Sequence, residues 1–418
     1  MSKTTLLKLA LASIIIIAIG LLVYQVPAVK SRLNWRMDVA ATYIRNVINP
    51  VGQMPTPLPQ PVAAVTLMPT PSPTVAATEI TVATPSPGPP ATQAATATAI
   101  PQVVNLGSPS WEKQTPNNCG PATLSLYLRS HNWQGNQSDI SALLKPETGD
   151  RNVNVEELVY YVRTQVGWLN AEYRVGGDIE LMKKFLAAGL PVMIEEGDYL
   201  DEQYWPNDDR WAGHYLLLTG YDDPTQTFIA QDTFRSSDRN VAYESIAENW
   251  QEFNYVYILV FRPDQTELVK SILGEDWDPD TNRENALELA QSQTVQDPNN
   301  AFTWFNLGSN LVYFERFNEA AQAYDTAREV GLPQRMLRYQ FGPFFAYFFS
   351  GRNDDLLSIT EYALQRTPNS EETLLWRGWG KYRAGDTSGA IEDFRSALVE
   401  NPYYQDAEYA LDFVTTNP

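Results

Sequence analysis

Cys119 is the only cysteine of the chain, and it sits where a thiol gains reactivity. The run Gln114-Thr-Pro-Asn-Asn-Cys119-Gly-Pro-Ala-Thr-Leu-Ser-Leu-Tyr-Leu passes from a polar loop into a predicted helix. Pro121 suits a first-turn position, and Leu124 and Leu128 form an i, i+4 apolar pair. Unpaired N–H groups and the helix dipole at such a start favour thiolate over thiol. A nucleophilic thiol needs a base, and the candidates are His131 and His214. His131 lies at the far end of the helix that Cys119 starts, roughly 18 Å away at about 1.5 Å per residue. His214 opens an apolar strand, Gly213-His214-Tyr-Leu-Leu-Leu-Thr-Gly220, and is the candidate base.

The strand continues into a turn at Asp222-Asp223-Pro224 and a second strand ending in Gln231-Asp232. Paired residues of an antiparallel hairpin lie symmetrically about its turn. Asp232 should therefore stand near His214 at the open end, able to orient the imidazole and stabilise its cation. Asp222 and Asp223 fall at the other end and read as turn residues. Gln114, five residues before Cys119, could join the Cys119 N–H in an oxyanion hole. This set suits attack on a carbonyl carbon without a cofactor. One cysteine and two histidines exclude Cys-rich metal sites and disfavour a His-based one.

The elements that must position these residues form a mixed pattern. Helices are expected over Pro121–His131, Asn154–Thr164 and Asp178–Ala188. Strands are expected over Pro191–Ile194, Tyr215–Thr219, Thr227–Ala230 and Tyr255–Phe261. Helices first and antiparallel strands later predict an α+β domain, placed at residues 105–264. The Gln…CGPA helix start, the LAAGLPVMI strand entry, the GHYLLLTGYDD hairpin and the Asp after it resemble the C39-like branch of papain-fold cysteine peptidases. That resemblance implies a papain-like fold with a Cys-His-Asp triad and a glutamine oxyanion donor, mapping onto Cys119, His214, Asp232 and Gln114. Relatives that cleave leader peptides do so inside exporters with a P-loop, which this sequence lacks. Residues 195–211 (EEGDYLDEQYWPNDDRW) insert seven acidic side chains before His214. They either wall the cleft and favour cationic substrate segments or form a solvated loop.

Beyond Gly274 the pattern turns helical and repetitive. Trp304, Leu307, Gly308, Ala320, Tyr324 and Ala327 follow tetratricopeptide spacing, as do Leu374, Gly378, Ala390, Phe394, Ala397 and Pro402. A middle unit keeps only Ala363 and Pro368. Residues 275–418 therefore resemble a tetratricopeptide-repeat domain, all-α, which implies a protein partner.

The N-terminal part is organised differently. After an eight-residue tail, residues 9–29 form an uncharged apolar run long enough at about 30 Å for a transmembrane helix, an expected membrane anchor. Residues 30–50 follow; the spacing from Arg32 to Val47 is helical, either lying along the membrane or extending the anchor. Residues 51–104 hold Glu79 as their one charge and are rich in Pro, Thr, Ala and Val, including MPTPLPQP and MPTPSPTV. They read as a disordered, partly polyproline linker. Such a stalk suggests a single-pass protein of the cell membrane with an extracytoplasmic body, although Lys30, Arg32, Arg36 and Arg45 favour the reverse orientation. The net charge is −20; the first 50 residues carry six basic groups against Asp38, leaving 24 positive and 49 negative charges beyond them. So acidic a body repels nucleic acid. The expected function is membrane-anchored hydrolysis of peptide or protein substrates. A non-catalytic peptide-binding scaffold and a cell-wall peptide amidase or transpeptidase are the alternatives.

Overall fold

The computed structural model describes residues 22–50, 52–59, 100–146 and 152–417, with five single positions before residue 21. The apolar run expected as an anchor lies largely outside the described residues. Among the described residues no helix is long and apolar enough to cross a membrane. Helix α1, Pro27–Ile48, starts with its proline in the first turn and covers the stretch expected to be helical.

The α+β domain is one antiparallel sheet with helices against it. Its strands are β1 Val103–Asn105, β2 Asn170–Arg174, β3 Val192–Tyr199, β4 Trp211–Asp222, β5 Thr227–Gln231, β6 Arg239–Ala242 and β7 Tyr257–Phe261. Their order is β2-β7-β3-β4-β5-β6, and β1 pairs with β4. Its helices are α2 Cys119–Ser130, α3 Gln137–Leu144, α4 Val155–Gln165, α5 Ile179–Ala187, α6 Tyr243–Trp250 and α7 Thr266–Leu273. Each expected helix and strand of this domain is present, most with one or both ends shifted. Helices α3, α6 and α7 and strands β1, β2 and β6 are additional to those expected; Asn136 and Asp139 form a capping box that marks the start of α3.

Two apolar layers hold the sheet. Met182, Phe185, Leu186, Ile194, Leu216, Leu218, Phe228 and Trp250 fill one face. Leu124, Leu128, Leu158, Val162, Met193, Tyr215, Leu217 and Ile258 belong to the other. The alternation of Leu216 and Leu218 against Tyr215 and Leu217 along β4 is the two-residue period of a strand buried on both faces. Strand β3 runs on to Tyr199, five residues past its expected end at Ile194. Its register pairs Glu195 with Tyr215 and Glu196 with His214, so the first part of the acidic insertion is sheet.

Eight helices follow: α8 Pro279–Gln296, α9 Ala301–Tyr313, α10 Phe317–Val330, α11 Gly342–Phe349, α12 Asn353–Arg366, α13 Glu371–Arg383, α14 Thr387–Glu400 and α15 Gln405–Thr416. Small and aromatic residues set the outer pairs. A Cβ on Gly308 would come within 2.7 Å of the Tyr324 ring, and one on Gly378 within 2.4 Å of Phe394. The middle pair opens with an eight-residue helix, α11. Before it, a turn at Met336–Arg338 leaves the repeat pattern and reaches the α+β domain.

Candidate active site

Cys119 is the first residue of α2. As such it has no intrahelical partner for its N–H. The approach to it is fixed by several bonds. Asn117 takes a left-handed φ of 58°. Lys145 Nζ donates to Asn117 O at 2.6 Å, and Asn118 Nδ2 donates to Gln137 Oε1 at 2.8 Å. Thr123, one turn further, donates to Tyr215 O and pins α2 to β4 beside His214. Gly120 leaves room: a Cβ there would sit 3.3 Å from the Tyr215 ring.

His214 is buried, and its Nε2 lies 2.9 Å from Asp232 Oδ1. The hairpin does not pair these two residues directly. Leu217 faces Gln231, with a register shift between Leu218 and Gly220, so Asp232 passes the end of β5 two residues out of step with His214. The side chains close that gap. Asp232 Oδ1 also accepts N–H bonds from Phe234 at 2.8 Å and Arg235 at 3.0 Å, while Arg239 donates to Oδ2. Burial alone would push this carboxyl up. The His214 hydrogen bond and charge, with the two backbone N–H groups, outweigh it and hold Asp232 far below the usual carboxylate range.

Thiol and imidazole shift together. Burial would raise the Cys119 thiol, but its hydrogen bond to His214, the His214 and Lys145 charges and the Gly120 N–H bring it below the ordinary value. Burial would lower His214, but Asp232 and Cys119 carry it well above its ordinary value. These directions favour a thiolate–imidazolium pair.

Gln114 Oε1 accepts from Thr233 Oγ1 at 2.9 Å, and Gln114 N–H donates to Thr233 O. Its amide is thus tied to the residue after Asp232 and lines the same cleft as Cys119. The other candidates lie elsewhere. His131 stacks on Tyr127 and bonds to Val260 O at 3.1 Å. Asp222 accepts the Thr225 N–H within the turn, and Asp223 pairs with Lys183 at 2.9 Å.

The cleft has a volume of about 240 Å³, and parts of it were not legible in the sequence. Leu200, Tyr204 and Trp205 of the acidic insertion form one side. Arg335, Arg338 and Tyr339, from the turn in the middle repeat, form another, and Val39 and Thr42 of α1 also border it. Three acids of the insertion are already matched by arginines. Asp198 pairs with Arg235 at 2.9 Å, and buried Asp208 is held by Arg335, which also lies 3.7 Å from Asp209. Two of the insertion's seven acids are neither paired nor solvated. Glu195 and Glu196 are buried on β3, and burial pushes Glu195 well up and Glu196 to about 8.

Residues 101–258 match the model of the Peptidase_C39 like family. This segment is a C39-like peptidase domain, and the helices after it are consistent with tetratricopeptide-type repeats. No curated protein matches the chain. Among solved structures, a C39-like peptidase from Bacillus anthracis is 18% identical, with 39% of this chain and 98% of that chain covered and a TM-score of 0.31. Xylellain, a cysteine protease from Xylella fastidiosa, is 15% identical over 39% of this chain and 87% of that one, TM-score 0.29. YrrB, a TPR protein with an unusual peptide-binding site, is 17% identical over 42% of this chain and 81% of that one, TM-score 0.30.

Proposed function

We propose that this chain is a membrane-anchored cysteine peptidase in which Cys119, His214 and Asp232 act as a triad. The observation that carries the reading is His214 held at 2.9 Å by Asp232 and hydrogen-bonded to a thiol at a helix start within a cleft. The Cys119 thiolate attacks a peptide carbonyl. The Cys119 N–H and the Gln114 side-chain amide receive the developing oxyanion. His214 then gives its proton to the leaving amine, and the acyl-enzyme forms. Water enters, His214 takes its proton, and hydrolysis releases the acid and restores the thiol.

The apolar run at 9–29 anchors the body outside the cell membrane. Helix α1 suits that placement. It buries Thr42 and Asn46 against the body while Leu33, Met37, Ile44, Val47 and Ile48 stay exposed, an arrangement suited to a lipid surface.

A peptide bearing a thiol-reactive electrophile should label the full chain at Cys119, and the Cys119→Ala form should take no label. Proteome-derived peptides should be cleaved by the first form only. Labelling without cleavage would favour the binding scaffold, and turnover confined to cell-wall fragments would favour the amidase reading. Protease added to intact cells should remove the body; full protection would reverse the orientation.

A further inference from the structure

The proline-rich stretch after α1 does not leave the body at once. Residues 52–58 run along the helical repeats and are gripped by buried side chains. Arg328 of α10, its side chain 1% exposed, donates from Nε at 3.0 Å and from Nη2 at 2.7 Å to Pro55 O. Asp355 of α12 accepts the Leu58 N–H at 3.0 Å. Arg366 of α12 donates to Gly52 O at 3.1 Å. Met54 is 7% exposed and joins the apolar cluster that reaches into the first repeats.

The spacing of these contacts carries information. The gripped backbone groups belong to residues 52, 55 and 58, three apart. A polyproline helix has three residues per turn and no internal hydrogen bonds, so every third residue presents its free N–H or C=O on one face. Arg328, Asp355 and Arg366 meet such a face, and the prolines at 55, 57 and 59 keep the segment extended at little entropic cost. Without the segment, two buried Arg328 donors would lose their acceptor, a costly loss for a charged group. The sequence also carries the motif twice: Met54-Pro-Thr-Pro-Leu-Pro59 recurs as Met68-Pro-Thr-Pro-Ser-Pro73. The second copy keeps the methionine, the acceptor carbonyl at Pro69 and an N–H at Ser72.

We infer that the helical repeats carry a receptor site for the extended Met-Pro-Thr-Pro-x-Pro segment of this same chain, filled in cis by the first copy. Arg328 and Asp355 read its backbone, and Met54 supplies the apolar anchor. Because α1 leads directly into the segment, the site also holds α1 where Val39 and Thr42 border the cleft.

The test uses the full chain in detergent and a fluorescent peptide of residues 52–61. A Met54→Ser/Leu58→Pro/Met68→Ser/Ser72→Pro variant alters only the two tethered copies of the motif and leaves every residue of the repeats in place. The peptide should bind this variant saturably. It should bind the intact chain roughly tenfold or more weakly, because a tethered copy competes at a high effective concentration. A peptide with proline at the Leu58 position should bind the variant at least about tenfold more weakly, since it lacks the N–H that Asp355 accepts. An unlabelled peptide of residues 66–75 should displace the label. No binding to the variant, or equal binding to both chains, would overturn the inference. Undiminished binding of the proline peptide would overturn the backbone reading. Failure of the 66–75 peptide would overturn recognition of the motif.

Discussion

His214 stands between two carboxyl groups that share its burial but not its charge state. On one side Asp232, fully buried, accepts from the imidazole, two backbone N–H groups and Arg239, and it is held ionised. On the other side Glu196, paired with His214 across β3 and β4, is 5% exposed, and its Oε2 has no hydrogen-bond partner. Burial pushes it to about 8, so it stays protonated near neutral pH. Burial alone favours the neutral acid; what fixes a buried carboxylate as an anion is the number of donors aimed at it. Apart from the Cys119 thiolate, the imidazolium therefore has one carboxylate counter-ion, Asp232.

The sharpest way to break this comparison is to remove the charge of Asp232 without its shape. Asp232→Asn should leave the fold intact and lower kcat by roughly 10³–10⁴, through the wrong tautomer and the lost counter-charge. Asp222→Asn should match the parent, because its carboxyl serves the turn. A crippled Asp222→Asn beside an active Asp232→Asn, in steady-state assays on one peptide, would assign the triad wrongly. A smaller effect is expected from Gln114→Ala. Its amide meets charge that exists only in the transition state, so kcat should fall on the order of 10²-fold with little change in KM. A loss confined to KM would instead make Gln114 a ground-state contact.

How much of this was legible varies by region. Cys119 was readable because it heads a helix with a strong apolar pattern, and His214 because it directly precedes the apolar run of β4, which itself starts three residues earlier at Trp211; a lone thiol leaves few pairings to consider. Asp232 was readable from hairpin symmetry to within two residues; the pairing is centred between Pro224 and Thr225 rather than on Asp223, because Asp222 faces Thr227 across the turn. Glu195 and Glu196 were lost because two adjacent acids break the alternation that marks a strand. Their burial depends on neighbours across the sheet, which spacing does not encode. Arg335 and Arg338 were hidden in the degenerate middle repeat. The outer repeats keep Gly308 with Tyr324 and Gly378 with Phe394, because close helix packing demands them. The middle unit has given up that pattern where its chain walls the cleft, so the missing repeat residues were themselves a signal. The grip on residues 52–58 was unreadable, since a polyproline run looks alike whether bound or free.

The least disruptive change isolates the β3 side. Glu196→Gln keeps the size and leaves the imidazolium its counter-ion, so kcat should stay within a few-fold of the parent. Its effect belongs in stability. The folded-state pKa is raised to about 8 from an ordinary 4.5. Between those values the folded chain keeps the proton while the unfolded chain has lost it. Stability therefore falls as pH rises through that window, by up to roughly 1.4 kcal/mol per pH unit, and levels off above it. Glutamine carries no such proton. The variant should resemble the parent near pH 5 and gain on it steadily toward pH 8. Glu252, raised to about 7 by its own burial, adds to the same decline, so the slope should shrink without vanishing. Denaturant midpoints of the two full-length chains, measured from pH 5 to 9, provide the check. Parallel curves would mean that Glu196 is ionised in the folded chain. The imidazolium would then have a second carboxylate counter-ion on β3, and Asp232→Asn should cost far less than proposed.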